Sequence, residues 1–201
     1  MPHQQVAVLR GGPSDEYTVS LETGKAVTNA LRELGRTPRD IVITRQGEWL
    51  VDGFSRPPEK ALAAVDAVFI ALHGHYGEDG QVQRVLERLQ IPFTGTRSLS
   101  SATAFNKEFT KNLLLEHGLK MPRHRRLTRQ ELRFVSRDPD ALFTELGPEL
   151  FIKPVQSGSS IGVGHVSEPN KLLAVVEAAL EAHEALLAEE YITGREATVG
   201  I

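Results

Sequence analysis

The residues with the greatest capacity for chemistry lie in three glycine-rich stretches. Gly158-Ser159-Ser160-Ile161-Gly162 combines hydroxyls with glycines that tolerate positive φ and let backbone approach a ligand closely. Successive amides in such a loop can cradle phosphate oxygens. Lys153 stands just upstream and supplies a compact cation for the same purpose. The alternative is an ordinary glycine-rich hairpin. The stretch is not a Walker loop, because no Gly-Lys-Ser/Thr follows, and not a dinucleotide fingerprint, because G-x-G-x-x-G is absent.

A second stretch runs His73-Gly74-His75-Tyr76-Gly77-Glu78-Asp79-Gly80. Its His-x-His spacing and two carboxylates are compatible with a metal. For Glu78 and Asp79 the favoured alternative is N-capping of a helix that starts near Gly80. His73, at the carboxyl end of an expected strand, is the better site candidate. The third stretch holds Glu16 in a loop with Gly11 and Gly12, where capping or a solvated charge is the competing reading. Lys107 and Lys111 lie one helical turn apart, as they also would on a solvated basic face.

These groups need a scaffold, and the apolar pattern predicts one. Val6 to Leu9, Ile41 to Ile43 and Ala67 to Leu72 read as buried strands. Val27, Ala30, Leu31 and Leu34 form a helical stripe closed by Gly35, and Val82, Val85, Leu86 and Leu89 form another. Such alternation predicts a parallel sheet with helices on both faces, and ligands at the carboxyl ends of its strands. The character changes near residue 105. Helices are expected over Lys107–His117, before Gly118, and over Pro139–Leu146 and Lys171–Leu180. Strands are expected over Phe151–Lys153, Val163–Val166, Leu186–Tyr191 and Ala197–Ile201. A chain that stops inside a strand predicts an incomplete domain.

The 201 residues suffice for one large domain or two small ones. A net charge of -3 gives no reason to expect nucleic acid, and the absence of cysteine excludes disulfides and thiolate chemistry. No leader of basic then apolar residues opens the chain, and Ala67–Leu72, its longest apolar run, is far short of the ~20 residues of a membrane helix. The expectation is a soluble cytoplasmic protein without a membrane partner.

Taken together, three stretches resemble the D-alanine–D-alanine ligase family of the ATP-grasp superfamily. They are Gly11 to Glu16 with Val19-Ser20, then His73-Gly74 through Gly77 to Gly80, Gln83 and Thr94-Gly95 to Asn106-Lys107, and finally Lys153-Pro154 through Gly158 to Val163 and Glu189 to Glu196. The resemblance covers essentially the whole chain. It implies an α/β architecture: an N-terminal parallel-sheet, Rossmann-like substrate-binding and dimerisation domain over 1–105, then an incomplete ATP-grasp domain, with its small α+β subdomain over 106–188 and the start of the large subdomain over 189–201.

The resemblance also implies roles. Glu16 would hold the ammonium of the first D-alanine, with His73 beside it and Ser159 bonding within the substrate site and steadying Glu16. Lys107 and Lys153 would neutralise ATP phosphates, under a loop carrying Gly158, Ser159, Ser160 and Gly162. Glu189, Glu190, Tyr191 and Ile192 would line the adenine, backbone groups reading its edge, and Glu196 would bind the ribose. The implied reaction makes the D-alanyl-D-alanine of peptidoglycan precursors through an acyl phosphate, in a homodimer that uses Mg²⁺ or Mn²⁺. Related ligases take D-lactate or D-serine second, and a non-catalytic, ligand-binding homologue is a further alternative. The sequence departs from the family at Tyr17-Thr18, where His-Glu is more usual. The family's metal ligands, lid tyrosine and transition-state arginine fall beyond residue 201, so the isolated chain is expected to be inactive.

Overall fold

The computed structural model describes residues 5–158 and 164–199. The chain divides into two compact units, Met1–Asn106 and Lys107–Ile201.

The first unit runs β1 (Val6–Gly11), α1 (Tyr17–Glu33), β2 (Arg39–Ile43), β3 (Trp49–Val51), β4 (Phe54–Ser55), α2 (Pro58–Ala61), β5 (Ala67–Ile70), α3 (Gln81–Arg88) and α4 (Ser98–Phe105). Its sheet has the order β4-β3-β2-β1-β5, with β1 parallel to both β2 and β5. The two strands at the β4 edge are antiparallel, so the sheet is mixed rather than wholly parallel as the sequence pattern predicts. The cause is local. Asp52 (φ 51°) and Gly53 (φ 82°) are both left-handed, the conformation of a two-residue turn whose twist suits a hairpin. Ala7, Leu9, Ile41, Ile43, Val82 and Leu86 are at the centre of the core.

Helix α1 forms where its periodicity predicts, but its buried face is rotated from the apolar stripe, of which Val27 and Leu31 are half-buried. Leu34 is 76% exposed and Ala30 is exposed, whereas Ser20, Gly24 and Thr28 are buried. Small residues win this face because the helix lies hard against β1. A Cβ on Gly24 would stand 2.5 Å from the Cβ of Arg10.

The second unit runs α5 (Lys107–Glu116), β6 (His124–Thr128), α6 (Leu132–Arg137), α7 (Asp140–Leu146), β7 (Leu150–Pro154), β8 (Gly164–Val166), α8 (Pro169–Ala182) and β9 (Ala185–Glu190). Its sheet is antiparallel in the order β6-β9-β7-β8. Because successive side chains of a strand point to opposite faces, the sheet has two characters. Leu127, Leu150, Ile152, Leu186 and Ala188 pack on Val135, Leu142, Leu172, Val176 and Leu180 of the helices. The other face carries Leu187 and, in register across β7 and β9, the partners Phe151 and Glu189 and the partners Lys153 and Leu187. The expected strand over Ala197–Ile201 is not found: residues 197–199 are not in a strand, and 200–201 lie outside the described residues. A β-branched run does not hold an extended ladder without a neighbour to pair with.

Candidate active site

In the first unit the loops that follow β1 and β5 are tied together. Gly11 (φ 90°) and Gly12 (φ 93°) turn the chain where only glycine fits, since a Cβ on Gly11 would lie 2.4 Å from the Ile43 carbonyl. The buried Ser20 hydroxyl accepts from the Gly11 amide at 2.8 Å and donates to the Ala71 carbonyl at 2.7 Å. Ser14 Oγ accepts from the Glu16 amide at 3.2 Å and donates to the His73 carbonyl at 2.7 Å. Glu16 precedes α1 but its carboxylate makes no bond to the helix amides, so the capping alternative fails for this residue. Instead its Oε2 lies beside Gly74, 2.7 Å from where a Cβ would be.

His73 is held at one ring nitrogen, with a carboxylate near the other. Nε2 is 2.9 Å from Thr23 Oγ1, and Nδ1 is 3.9 Å from Glu78 Oε1. Asp79 does what a cap does: Oδ1 accepts from the Gln81 amide at 3.0 Å and Oδ2 from the Tyr76 amide at 2.9 Å. Glu78 serves the loop rather than the helix, accepting from the Gly74 amide at 3.1 Å. Among the described residues no three His, Asp or Glu side chains converge as metal ligands would. A cleft of about 360 Å³ is lined by His73, Gly77, Glu78, Gln83 and Thr94.

The second unit holds a cationic cluster. Lys107 opens α5, its amide bonded to the Val155 carbonyl at 3.0 Å. Its ammonium donates to the Ser157 carbonyl at 2.9 Å and to Ser157 Oγ at 3.3 Å. Burial, then repulsion from Lys153, lowers the Lys107 pKa below the ordinary lysine value, and Glu189 partly opposes this. Lys153 Nζ stands 2.5 Å from Glu189 Oε2, and Lys111 Nζ stands 3.0 Å from Glu189 Oε1. The solvated-face alternative therefore fails for Lys111, which is buried against a carboxylate. Sequence reasoning missed this pairing, because the spacing of Lys107 and Lys111 does not point to a carboxylate on a distant strand.

The expected base-lining residues take distinct places. Glu189 is buried and committed to the two lysines. Glu190 accepts from the Arg123 amide at 2.8 Å and from its guanidinium at 2.7 Å, which together lower its pKa. The amides of Glu190 and Tyr191 already donate to the Arg123 and Glu149 carbonyls, so neither is offered to a base edge. The Tyr191 ring stacks on Phe151 at 6.0 Å and meets His165 at 4.7 Å, an aromatic patch that the sequence reading did not single out. Ile192 and Glu196 are exposed. Gly158 is described, whereas Ser159, Ser160 and Gly162 lie outside the described residues, and with them the expected phosphate loop and the bond from Ser159 to the Glu16 site.

A mixed sheet with glycine-turned loops at its strand ends, followed by an antiparallel α+β unit with lysines on its open face, is the framework of the ATP-grasp class. Comparison with known proteins narrows this. The family described as D-ala D-ala ligase N-terminus matches residues 54–96, and the one described as D-ala D-ala ligase C-terminus matches residues 113–201. A D-alanine–D-alanine ligase of Aquifex aeolicus is 38% identical over 198 residues, covering 98% of this chain and 62% of the relative. The structure of the D-alanine–D-alanine ligase from Coxiella burnetii superposes with a TM-score of 0.81 at 27% identity, over 96% of this chain and 65% of that one. The VanG D-Ala:D-Ser ligase of Enterococcus faecalis superposes with a TM-score of 0.78 at 31% identity, over 96% and 64%. The chain belongs to the D-alanine–D-alanine ligase family, and it spans about three-fifths of the length of these relatives.

Proposed function

We propose that the protein containing these residues joins two D-alanines at the expense of ATP. The observation that carries the reading is the lysine cluster: Lys111 and Lys153 share the single carboxylate of Glu189, and the Lys107 ammonium, held by Ser157, adds a further cation, leaving an excess of positive charge suited to a polyphosphate. Glu16 provides the complementary carboxylate, in a loop fixed by Ser14, for the ammonium of an amino acid. His73, held by Thr23, stands beside it. To the phosphates we assign Lys107, Lys153 and the loop from Gly158 to Gly162, to the substrate Ser159 besides Glu16 and His73, to the adenine Tyr191 and Ile192, and to the ribose Glu196.

The chemistry is acyl activation. A carboxylate oxygen of the first D-alanine attacks the γ-phosphorus of ATP, and the bond to ADP breaks. The amine of the second D-alanine then attacks the acyl carbon of the D-alanyl phosphate. Phosphate leaves with the former carboxylate oxygen, and the amine proton passes to solvent. Such a transfer depends on positioning and charge neutralisation rather than on a strong nucleophile. The described residues offer no cluster of His, Asp and Glu ligands for Mg²⁺. Residues 1–105 are assigned substrate binding and pairing of two copies, residues 106–188 the small ATP-grasp subdomain, and 189–201 the opening of the large one. The second boundary falls inside β9. Among the described residues no helix is long and apolar enough to cross a membrane, and we place the reaction in the cytoplasm with the other steps that supply peptidoglycan precursors.

The test is ADP release by the polypeptide of the whole reading frame, with ATP, Mg²⁺ and D-alanine. D-alanine-dependent release that collapses in Glu16→Gln supports the reading. Nucleotide binding without any D-alanine dependence rejects it. Faster turnover with D-serine or D-lactate as second substrate transfers the assignment to those ligases.

A further inference from the structure

We propose that Lys111 is a positioning residue that sets the charge of the phosphate site by holding Glu189 from behind. This rests on the nucleotide reading above and adds a residue to it. Lys111 cannot touch a ligand itself, because its side chain is only 8% exposed. Its ammonium is fixed at two points, donating to the Pro122 carbonyl at 3.1 Å and standing 3.0 Å from Glu189 Oε1. The other oxygen of Glu189 faces Lys153, whose side chain is 24% exposed and is the member of the chain that reaches solvent. The order is therefore buried ammonium, buried carboxylate, accessible ammonium.

The consequence follows from charge. Without Lys111, Glu189 and Lys153 would form a closed neutral pair, and an arriving phosphate would meet the charge of Lys107 alone. With Lys111 present, Glu189 is already neutralised and the charge of Lys153 is available. In a partly buried site such a difference acts on a ligand far more strongly than it would in water. The depressed pKa of Lys107, with repulsion from Lys153 among its causes, fits a Lys153 that Glu189 does not fully cancel. A purely structural purpose explains the arrangement less well, since desolvation offsets most of what a buried ion pair contributes to stability.

The experiment is a double-mutant cycle read by ADP titration of the chain, with Lys111→Met, Glu189→Gln and the pair combined, and Lys111→Arg as the conservative variant. Lys111→Met is expected to weaken ADP binding by about tenfold when Glu189 is present, and by less than about twofold in the Glu189→Gln background, since residues acting through one another are not additive. Lys111→Arg restores most of the affinity. Equal losses in both backgrounds, or no loss in a folded Lys111→Met protein, overturn the proposal. If Lys111→Met does not fold, the combined variant decides, and ADP affinity well below that of Glu189→Gln alone counts against it. The ¹⁵N signal of the Lys153 ammonium separates this inference from the nucleotide reading. It should move in Lys111→Met without any ligand and return in the combined variant. A signal that stays still contradicts the positioning role even if ADP binds, whereas a signal that moves in a protein that ignores ADP leaves the charge relay standing and removes the nucleotide.

Discussion

The hydroxyl of Ser14 donates to the carbonyl of His73 at 2.7 Å, joining two loops that are 59 residues apart in sequence. The same oxygen accepts from the Glu16 amide. One side chain thus fixes the spacing of the two groups assigned to the first D-alanine. Ser14→Ala is expected to raise the KM for that D-alanine by roughly fivefold, the worth of a hydrogen bond of ~1 kcal/mol, with a smaller effect on kcat. Steady-state kinetics at saturating ATP check this, and an unchanged KM would mean the two loops are positioned by other contacts.

Ser20 is sealed from water and bridges the Gly11 amide to the Ala71 carbonyl. Ser20→Ala leaves a buried donor and a buried acceptor without this partner, at a cost of about 1–3 kcal/mol in unfolding free energy. Denaturant unfolding should show the midpoint fall with little change in slope.

Gly80 caps α3 in a left-handed conformation (φ 90°), and a Cβ there would stand 2.3 Å from the Ser98 carbonyl. Gly80→Ala combines backbone strain with a collision against backbone, so it should destabilise by more than ~2 kcal/mol. Gly35→Ala, where a Cβ would meet nothing within 4 Å, is the comparison: it should cost less, from φ alone. Equal losses at the two sites would remove the steric argument.

Lys107 gives a pH prediction. Burial, then the Lys153 ammonium, places its pKa below the ordinary value of 10.5. Its charge is present below that depressed pKa and is lost as pH rises through it. Nucleotide affinity should therefore begin to fall at a more acid pH than an exposed lysine would give. Lys107→Arg should move the fall to higher pH. Stability runs the other way: the unfolded chain holds this proton more tightly, so raising pH through the same window removes a penalty on folding. Binding and unfolding measured across one alkaline series test both signs.

Much of the scaffold was legible because burial and period coincide. Val6 to Leu9 and Ile41 to Ile43 are continuous apolar runs and became neighbouring parallel strands. Gly35 and Gly118 stop their helices with positive φ. The hairpin from Trp49 to Ser55 was missed although Asp52-Gly53 marks its turn, because its strands are too short for a pattern to accumulate. The face of α1 was misjudged because closeness of approach, rather than apolarity, selects Ser20, Gly24 and Thr28. At the site, residue types were legible but partnerships were not. Nothing local in Lys111 announces that Glu189, on a strand far along the chain, will lie 3.0 Å away. The same holds for the exclusion of the Glu190 and Tyr191 amides from a base edge, which sheet pairing alone decides.

The central claim is that a D-alanine carboxylate attacks ATP. It is tested most directly by supplying D-alanine labelled with ¹⁸O in its carboxylate, with ATP and Mg²⁺, to the polypeptide of the whole reading frame, and analysing the released phosphate by mass spectrometry. The account predicts one ¹⁸O carried into phosphate for each D-alanyl-D-alanine formed. Unlabelled phosphate accompanying dipeptide would contradict it, because the carboxylate oxygen would then never have been bonded to phosphorus.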